Sequence, residues 1–268
     1  MQFIMFTKSL KGMTVAQMIE TAKGLGFDGL DMAVREGYAV NPGNAAGSLP
    51  AAARACAEAG LSVPMVSMET GVVDPLAPGV EQIFAACAEA GCGLIKIGYW
   101  RYQFPGYWEQ VDQAMRALAG FARLSGKYGV KTAVHTHSGM NLAGNCAMAM
   151  QLVKGLDPCQ VGIYVDPGHL ALDGEKPRMG LDMVKEYLCA VAVKDCRYVR
   201  KEGEDKPVWE VEWLRLREGL VPWREVTEAL KQLGFAGPVS FHCEYHQPLE
   251  TIIEWTRDDV QFLRALTG

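Results

Sequence analysis

The feature that most constrains this chain is a regular alternation of short apolar runs and longer amphipathic stretches along its 268 residues. The apolar runs cover residues 3–6, 29–33, 62–67, 94–98, 131–135, 161–165, 188–193 and 239–242. The amphipathic stretches, which have helical periodicity, cover residues 15–25, 50–59, 80–90, 108–128, 146–156, 179–187, 223–233 and 249–266. Because the apolar runs are continuous rather than alternating, they are typical of strands buried on both faces.

Eight strand–helix units in succession predict an α/β fold with a parallel sheet. Such a sheet either closes into a barrel or stays open as a doubly wound sheet. The number of units, and the lack of a G-x-G-x-x-G motif after the first strand, favour the barrel. The length is close to the roughly 250 residues of a (β/α)₈ TIM barrel. Since no Pro- or Ser-rich linker interrupts the chain, we predict a single TIM-barrel domain over residues 1–268.

Composition argues against several classes of protein. With 26 lysines and arginines against 31 aspartates and glutamates, the net charge of −5 argues against nucleic acid as a partner. No apolar run approaches the ~18–20 residues of a membrane span, and the first residues lack the features of a secretory signal. None of the eight cysteines forms a C-x-x-C pair, so we expect reduced cysteines and a cytoplasmic location.

In a barrel of this kind, the chemistry lies at the carboxyl ends of the strands and in the loops that follow them. The titratable and aromatic residues at these ends are Arg35, Glu69, Tyr99, Arg101, Tyr102, His135, His137, Asp166, His169, Lys194, Asp195, Arg197, His242, Glu244 and His246. This set contains all five histidines of the chain. A random distribution would rarely produce that result, so the sequence predicts an active site at the C-terminal mouth of the barrel.

Two pairs of these residues, His135 with His137 and His242 with Glu244, stand two positions apart, so each pair shares one face of its strand. If the first member of each pair points into the mouth, the pairs converge there with Asp166. They could bind a divalent metal, or act without metal as acid and base, since histidine titrates near neutral pH. The alternative is a set of hydrogen-bonded polar residues that only cap the barrel.

Lys194 ends an apolar strand, which predicts a half-desolvated ammonium with a depressed pKa. It is a candidate base, electrophile or anion anchor, and pairing with Asp166 or Glu244 for charge balance is an equal alternative. The candidate catalytic residues are His135, His137, Lys194, His242 and Glu244. The candidate substrate-binding residues are Arg35, Glu69, Tyr99, Arg101, His169 and Arg197.

The segment 197–220 is the longest connection between predicted elements, and it is highly charged. It also contains Trp209 and Trp213, which would be costly to leave exposed. Long loops in compact domains tend to be lids or interaction surfaces, so we expect a lid over the mouth or a dimer contact.

Motifs at the strand ends resemble those of the xylose isomerase-like barrels: GLGFDGLDM, VDPGH, VKD and GFAGPVSFHCEY. That group includes sugar-phosphate isomerases and epimerases, tagatose/psicose 3-epimerases, hydroxypyruvate isomerase and inosose dehydratase. The resemblance covers nearly the whole chain. It is strongest to a branch with MFTK, HSG and D-x-x-H motifs, which here occupy residues 5–8, 137–139 and 166–169.

The resemblance implies one divalent ion, such as Mn, Zn, Co or Mg, held by a Glu, an Asp, a His and a Glu on strands five to eight. Asp166 occupies the position of the Asp, and His135 and His242 occupy the positions of the two glutamates. Glu244 follows two residues after His242, and Ala192 replaces the strand-seven histidine. A metal held by Asp166, His242 and either His135 or Glu244 is therefore one option, and a metal-free site is the other.

The resemblance and the clustered titratable residues together imply an isomerase or epimerase that moves a proton next to the carbonyl of a small carbohydrate substrate. His135 or His242 would act as the base. Glu244 or His137 would act as the acid partner, and Lys194 would orient the substrate oxygens. A lyase or dehydratase on a keto-sugar or keto-glycoside begins with the same proton abstraction and stays an alternative, as does a non-catalytic carbohydrate-binding barrel. The resembled family also leaves a homo-oligomer open.

Overall fold

The computed structural model describes residues 1–203 and 206–268, and within them eight parallel strands close a barrel. In chain order the barrel strands are β1 (Gln2–Phe6), β2 (Gly29–Val34), β3 (Ser62–Met68), β4 (Leu94–Lys96), β5 (Lys131–His135), β6 (Val161–Val165), β7 (Leu188–Val193) and β10 (Pro238–Phe241). Between β7 and β10, β8 (Asp195–Lys201) and β9 (Val208–Leu214) form a separate two-stranded sheet. The order around the barrel is β1, β10, β7, β6, β5, β4, β3 and β2, and β1 closes the ring by pairing with both β10 and β2. The predicted (β/α)₈ TIM-barrel fold is confirmed.

Helices connect the strands and cover the outside of the barrel. They are α1 (Val15–Leu25), α2 (Ala45–Glu58), α3 (Val80–Ala90), α4 (Tyr107–Tyr128), α5 (Cys146–Val153), α6 (Pro167–Leu172), α7 (Pro177–Val184), α8 (Trp223–Gln232) and α9 (Leu249–Thr267). Thr14 and Gln17 form a capping box at the start of α1, which satisfies backbone donors that a helix start leaves free. Across the described ranges, no helix is both long enough and apolar enough to span a membrane.

Several predicted boundaries coincide with the observed ones, namely 131–135, 161–165 and 188–193 for strands and 15–25 and 80–90 for helices. Others differ for local reasons. The fourth strand ends at Lys96 rather than at residue 98, because the Gly98 N–H donates to the Val72 carbonyl in the loop after β3 (2.7 Å). The second helix begins at Ala45, so Pro50 lies inside the helix instead of marking its start.

Alternation along the strands divides the barrel interior into an apolar layer and a polar layer above it. The apolar layer consists of Ile4, Met65, Leu94, Ala133, Tyr164, Ala190 and Ala192. Two residues farther along, the same faces present the buried polar residues Ser67, Lys96, His135, Asp166 and Lys194, which are joined by Asp31, Ser240 and His242 from β2 and the end of β10. This polar layer forms the floor of the mouth.

The segment after β7 is an antiparallel hairpin of β8 and β9, which corrects the expectation of a long loop over 197–220. Residues 204 and 205 of that segment lie outside the described residues. Asp195 joins the hairpin to the barrel: its carboxylate accepts hydrogen bonds from the Cys196 and Val221 N–H groups (2.8 and 3.0 Å) and from the Trp223 indole N–H (3.0 Å). The dimer contact proposed for this segment stays a prediction.

Gly219 packs so closely on Asp195 that a side chain at this position would disrupt the base of the hairpin. A Cβ there would lie 2.0 Å from Asp195 Oδ1, so we expect Gly219→Ala to lower the free energy of unfolding by about 1–3 kcal/mol. The matched control is Gly47→Ala in α2, where a Cβ meets nothing within 4 Å and should leave stability unchanged or slightly higher. Urea denaturation of both variants measures the difference, and equal stability of the two would contradict this packing.

Candidate active site

A cavity of about 240 Å³ opens at the mouth, and residues from the ends of all eight barrel strands line it, together with Trp213 of β9. Its volume corresponds to roughly eight water molecules, which suits a single sugar-sized ligand. A larger cavity, of about 490 Å³, lies near the opposite ends of the strands, where Pro64, Lys131 and Pro238 line it. We place the active site at the mouth, because barrel enzymes carry their chemistry there and because the titratable residues gather there.

The centre of the mouth is an ion cluster of Lys194, Asp166 and Glu244. The Lys194 Nζ lies 3.3 Å from Asp166 Oδ2 and 3.1 Å from Glu244 Oε2. Lys194 is 5 % exposed and Asp166 is fully buried. Lys8, in the short 3₁₀ turn after β1, forms a second salt bridge to Glu244. Because the charges compensate one another, the cluster can remain ionised although it is largely removed from water.

The pairing reverses the pKa shift that the sequence predicts for Lys194. Burial alone would lower the pKa of this lysine, but Asp166 and Glu244 outweigh that effect and raise it. Burial likewise opposes ionisation of the two carboxyl groups, yet Lys194 holds the pKa of Asp166 below its usual value and that of Glu244 well below it. The expected depressed pKa is therefore wrong, and the alternative of charge balance is the one the geometry shows. Lys194 is a cation in this site rather than a base.

Three buried histidines surround the ion cluster. His135 Nδ1 is hydrogen-bonded to the Tyr99 hydroxyl (2.8 Å), and its Nε2 lies 3.3 Å from Asp166 Oδ2. His242 Nε2 is hydrogen-bonded to the Tyr164 hydroxyl (2.7 Å). Burial, reinforced by nearby cations that include Lys194, holds the pKa of His135, His169 and His242 well below the usual value. All three imidazoles are therefore neutral at pH 7.

An aromatic wall completes one side of the mouth. The rings of His137 and His169 are in contact, with centroids 3.7 Å apart and planes tilted by 31°, and the Tyr99 ring centroid lies 4.5 Å from that of His137. Trp213 of the hairpin approaches His169 edge-on at 5.3 Å, and Lys194 Nζ lies 4.5 Å from the centre of the Trp213 ring. The hairpin therefore supplies part of the cavity wall, as expected for a segment that covers the mouth.

Backbone strain accompanies the placement of Glu244. Cys243 has φ = 26° and His246 has φ = 52°, both in a region that residues other than glycine seldom adopt. Each such residue costs on the order of 1–3 kcal/mol and persists only where the surroundings enforce it. This strain occurs in the turn that directs the Glu244 side chain toward Lys194 and Lys8.

The structure brings together most of the predicted site residues but not all of them. His137, Lys194, His242, Glu244, Arg35, Tyr99 and His169 line the cavity, and His135 and Asp166 lie directly beneath it. Arg197 is a correction: it is exposed on β8 and forms an ion pair with Glu212 of β9 (2.7 Å), because the segment is a hairpin. Glu69 accepts a hydrogen bond from the Glu36 N–H outside the cavity, and Arg101 lines a neighbouring surface groove.

Sequence reasoning did not include Lys8, Lys96 or Tyr164 among the site residues, and it placed Trp213 only in a segment expected to be a lid or a dimer contact. Lys96 and Tyr164 could have been found from strand alternation, because Lys96 follows the inward Leu94 by two positions and Tyr164 precedes Asp166 by two. Lys8 and Trp213 lie outside the barrel strands, and only the tertiary fold places them at the mouth.

The residues at the mouth do not fit the divalent ion that the family resemblance implies. The predicted ligands were Asp166, His135, His242 and Glu244, but the Lys194 ammonium lies between the two carboxylates. A cation bound to either carboxylate would be repelled by that ammonium. His242 Nε2 is already hydrogen-bonded to the Tyr164 hydroxyl. Across residues 1–203 and 206–268, no three His, Cys, Asp or Glu side chains are arranged to hold a metal. In this arrangement Lys194 supplies the positive charge beside the carboxylates, and the predicted ligand set stays a prediction.

A model of the family described as xylose isomerase-like TIM barrel matches residues 19–266. Among curated proteins, inosose dehydratase of Lacticaseibacillus casei is 24 % identical over 165 residues, which cover 59 % of this chain and 54 % of that protein. The chain thus spans about half the length of the curated relatives it matches.

Solved structures of similar fold match over nearly the full length. D-Psicose 3-epimerase from Clostridium cellulolyticum H10 is similar with a TM-score of 0.76 and 14 % identity, covering 100 % of both chains. A 3-keto-D-glucoside 4-epimerase from E. coli has a TM-score of 0.77 and 15 % identity over 99 % of both chains. A probable 3-DHS dehydratase from Bacillus anthracis has a TM-score of 0.73 and 12 % identity over 98 % of this chain and 99 % of that one. At these identities the similarity establishes the fold.

Replacing Lys194 tests the ion cluster. Lys194→Met removes the ammonium but keeps an apolar stem, so Asp166 and Glu244 lose their central partner, and the free energy of unfolding should fall by about 3–5 kcal/mol. Lys185→Met is the matched control: it breaks an exposed pair with Asp182, and the change should stay below about 1 kcal/mol. Urea denaturation measures both, and a small change in both variants would contradict the cluster.

Metal content tests the fit of the site to a divalent ion. Protein purified without chelator and without a nickel column should contain well under one divalent ion per chain, because Lys194 occupies the space between the carboxylates. Inductively coupled plasma mass spectrometry measures the content, and melting temperature with and without EDTA provides a second readout. One tightly held ion per chain, or a large drop in melting temperature with EDTA, would contradict the assignment.

Proposed function

The chain belongs to the xylose isomerase-like TIM barrel family, and we propose that it is an isomerase or epimerase of a keto-sugar or a keto compound derived from a sugar. The reaction would transfer a proton at the carbon next to the carbonyl. One observation carries this proposal: a buried, charged lysine lies within one sugar-sized cavity beside a neutral histidine, Lys194 beside His242. An electrophile for the carbonyl oxygen and a base for the adjacent carbon are the two groups that such a proton transfer requires.

Lys194 would act on the carbonyl oxygen. Asp166 and Glu244 hold it as an ammonium, and each lies on one side of Nζ at 3.3 and 3.1 Å. Negative charge develops on the substrate oxygen when the neighbouring proton leaves, and a fixed cation in a site shielded from water stabilises that charge strongly. The two carboxylates orient the ammonium before the substrate arrives, so little reorganisation is needed during the reaction.

His242 is the best candidate for the base. Its pKa is held well below the usual value, so it is neutral at pH 7, and it lines the cavity. When Nε2–H donates to the Tyr164 hydroxyl oxygen, Nδ1 is left as the proton acceptor. His135 is less suitable, because it lies beneath the cavity with its two nitrogens facing Tyr99 and Asp166. Glu244 is less suitable because Lys8 and Lys194 already pair with its two carboxylate oxygens.

A second proton-transfer group is present on another wall. His137 follows β5, whereas His242 follows β10, and β6 and β7 stand between these strands in the barrel. With its Nδ1–H donated to the Ser138 carbonyl (3.0 Å), His137 has Nε2 left to exchange a proton with a substrate. Removal of a proton from one face of a carbon and return of a proton to the other face inverts that carbon, which is what an epimerase does, so this placement favours an epimerase within the main proposal.

A dehydratase that acts on a keto-sugar is the second candidate. The observation that favours it is the similarity to inosose dehydratase and, at the level of fold, to a probable 3-DHS dehydratase. Proton abstraction next to a carbonyl also starts this reaction, and the carbanion would then expel a hydroxyl group instead of regaining a proton. His242 and Lys194 would keep the same roles.

The proposed partner is a small carbohydrate, which matches the size of the cavity. The proposed location is the cytoplasm. All eight cysteines are free thiols and most of them are buried, which is typical of a reducing compartment.

Deuterium exchange tests the proposed reaction. Incubation with a panel of ketoses and keto-glycosides in D₂O should place deuterium at a carbon next to the carbonyl, detected by NMR. His242→Gln removes the base and should slow the exchange by at least about 10²-fold. The control is His246→Asn, which lies at the cavity rim, suits a positive φ and should keep the rate within a few-fold.

Three outcomes separate the candidates. Exchange with full recovery of the sugar supports an isomerase or epimerase, and a product lighter by one water supports the dehydratase. Binding of a sugar without any exchange would contradict both and leave a non-catalytic carbohydrate-binding barrel. Exchange that persists in His242→Gln would remove His242 from its assigned role.

A further inference from the structure

Two buried cations at the mouth, Arg35 and Lys96, play no part in the ion cluster around Lys194. Arg35 is 7 % exposed and Lys96 is 2 % exposed, and both line the cavity. Within the described residues, neither side chain has a carboxylate within 4.0 Å or a hydrogen-bond partner, and Arg35 Nε is buried without any partner. Buried charges in folded proteins are normally paired, so these two call for a partner that the chain itself does not supply.

The contacts that these cations do make are with aromatic rings. Lys96 Nζ lies 3.9 Å from the centre of the Tyr99 ring, and the Arg35 guanidinium lies 5.1 Å from the centre of the Phe6 ring. Such contacts hold a cation in place but leave its hydrogen-bond donors free. Both side chains are thus positioned on the cavity wall with donors available.

The nearest carboxylate, that of Asp31, forms a salt bridge with neither of them. Its Oδ2 accepts hydrogen bonds from the hydroxyls of Ser67 (3.2 Å) and Ser240 (2.8 Å). Burial raises its pKa to about 6, so Asp31 is still largely ionised at pH 7 and offsets part of the positive charge. The other two cations of the cavity, Lys8 and Lys194, are already paired with Glu244 and Asp166. Burial, together with Arg35, holds the pKa of Lys96 well below its usual value, so the permanent positive charge on this wall is the Arg35 guanidinium, and an anion bound beside Lys96 would favour its ammonium form.

The barrel order shows where Arg35 and Lys96 lie relative to the reacting centre. Arg35 follows β2 and Lys96 ends β4, and β3 with Ser67 stands between them. In the closed ring, β3 is four strands away from β7 in either direction, so it stands across the barrel from the strand that carries Lys194. A ligand whose carbonyl meets Lys194 would extend its far end toward Arg35 and Lys96.

From this geometry we infer that the substrate carries a carboxylate or phosphate group at the end remote from the reacting carbonyl, and that Arg35 and Lys96 bind that group. Guanidinium groups bind both of these anions through paired hydrogen bonds, and a lysine adds a point charge. The inference deepens the proposed function, since it names the class of substrate: a sugar acid or a sugar phosphate rather than a neutral sugar.

Calorimetric binding of three probes tests the inference without any turnover. D-Glucuronate and D-glucose 6-phosphate carry a terminal anion, and D-glucose is the neutral counterpart. At least one anionic probe should bind about tenfold or more tightly than D-glucose, because hydrogen bonds to charged groups contribute that much. The preference should also weaken as sodium chloride is added. Which of the two anions is preferred identifies the group.

Charge-removing variants assign the effect to the two residues. Arg35→Met and Lys96→Met should each lower the affinity for the anionic probe about tenfold or more and leave D-glucose binding unchanged. Arg54→Met and Lys23→Met, at exposed positions on α2 and α1, are matched controls and should leave the preference intact. Melting temperature should stay level or rise in Arg35→Met and Lys96→Met, because each removes a buried basic group that has no hydrogen-bond partner.

The inference is overturned if the three probes bind equally, if none binds, or if the preference survives in both cavity variants. These outcomes are separable from the failure of the proposed function, because binding is measured independently of deuterium exchange. Preference for an anion with no exchange on any substrate would leave the anion site standing and remove the proposed reaction. Exchange on neutral sugars without an anion preference would support the proposed reaction and remove the anion site.

Discussion

The arrangement of the barrel mouth depends on one interaction, the burial of the Lys194 ammonium between the carboxylates of Asp166 and Glu244. Each of these residues comes from a different strand end, and none of them could remain ionised there alone, because an isolated buried charge is far more costly than a pair. The cluster thereby fixes the ends of β6, β7 and β10 relative to one another. It also explains why the strained backbone at Cys243 is maintained, since that turn carries Glu244 into the cluster.

The sequence was sufficient to predict the barrel because a closed parallel sheet repeats one simple pattern. Continuous apolar runs such as 161–165 and 188–193 are typical of strands buried on both faces, and the carboxyl ends of such strands in a barrel meet at one rim. The histidines were therefore found from their positions alone. The inward orientation of Lys96 is also predictable, because Lys96 follows the inward-facing Leu94 by two residues. The apolar pattern, however, continues to residue 98 and so predicts a strand end near Tyr99 instead.

The features that the sequence could not provide all depend on which residues meet across the fold. A lysine at the end of an apolar strand suggests a depressed pKa, and only the distances to Asp166 and Glu244 reverse that shift. The prediction for Arg197 is wrong for a related reason. The high charge of the segment suggests a loop, although residues 208–214 alternate glutamates with apolar residues as a strand does. Pairing with β8 then turns Arg197 toward Glu212 and away from the mouth.

The distribution of charge in the mouth has a direction. Asp31 and Asp166 lie at the floor, where both are completely buried, whereas the ends of Arg35, Lys96, Lys194 and Glu244 border the cavity. A ligand in the cavity therefore meets three basic side chains and one carboxylate before it reaches the two buried aspartates. Ala192 occupies the position that the family resemblance assigns to a metal-binding histidine. In this barrel, Ala192 lies in the apolar layer, two positions before Lys194, and packs in the core. In the proposed reaction, the Lys194 ammonium fixed by two carboxylates takes the place of a divalent ion as the electrophile for the substrate oxygen.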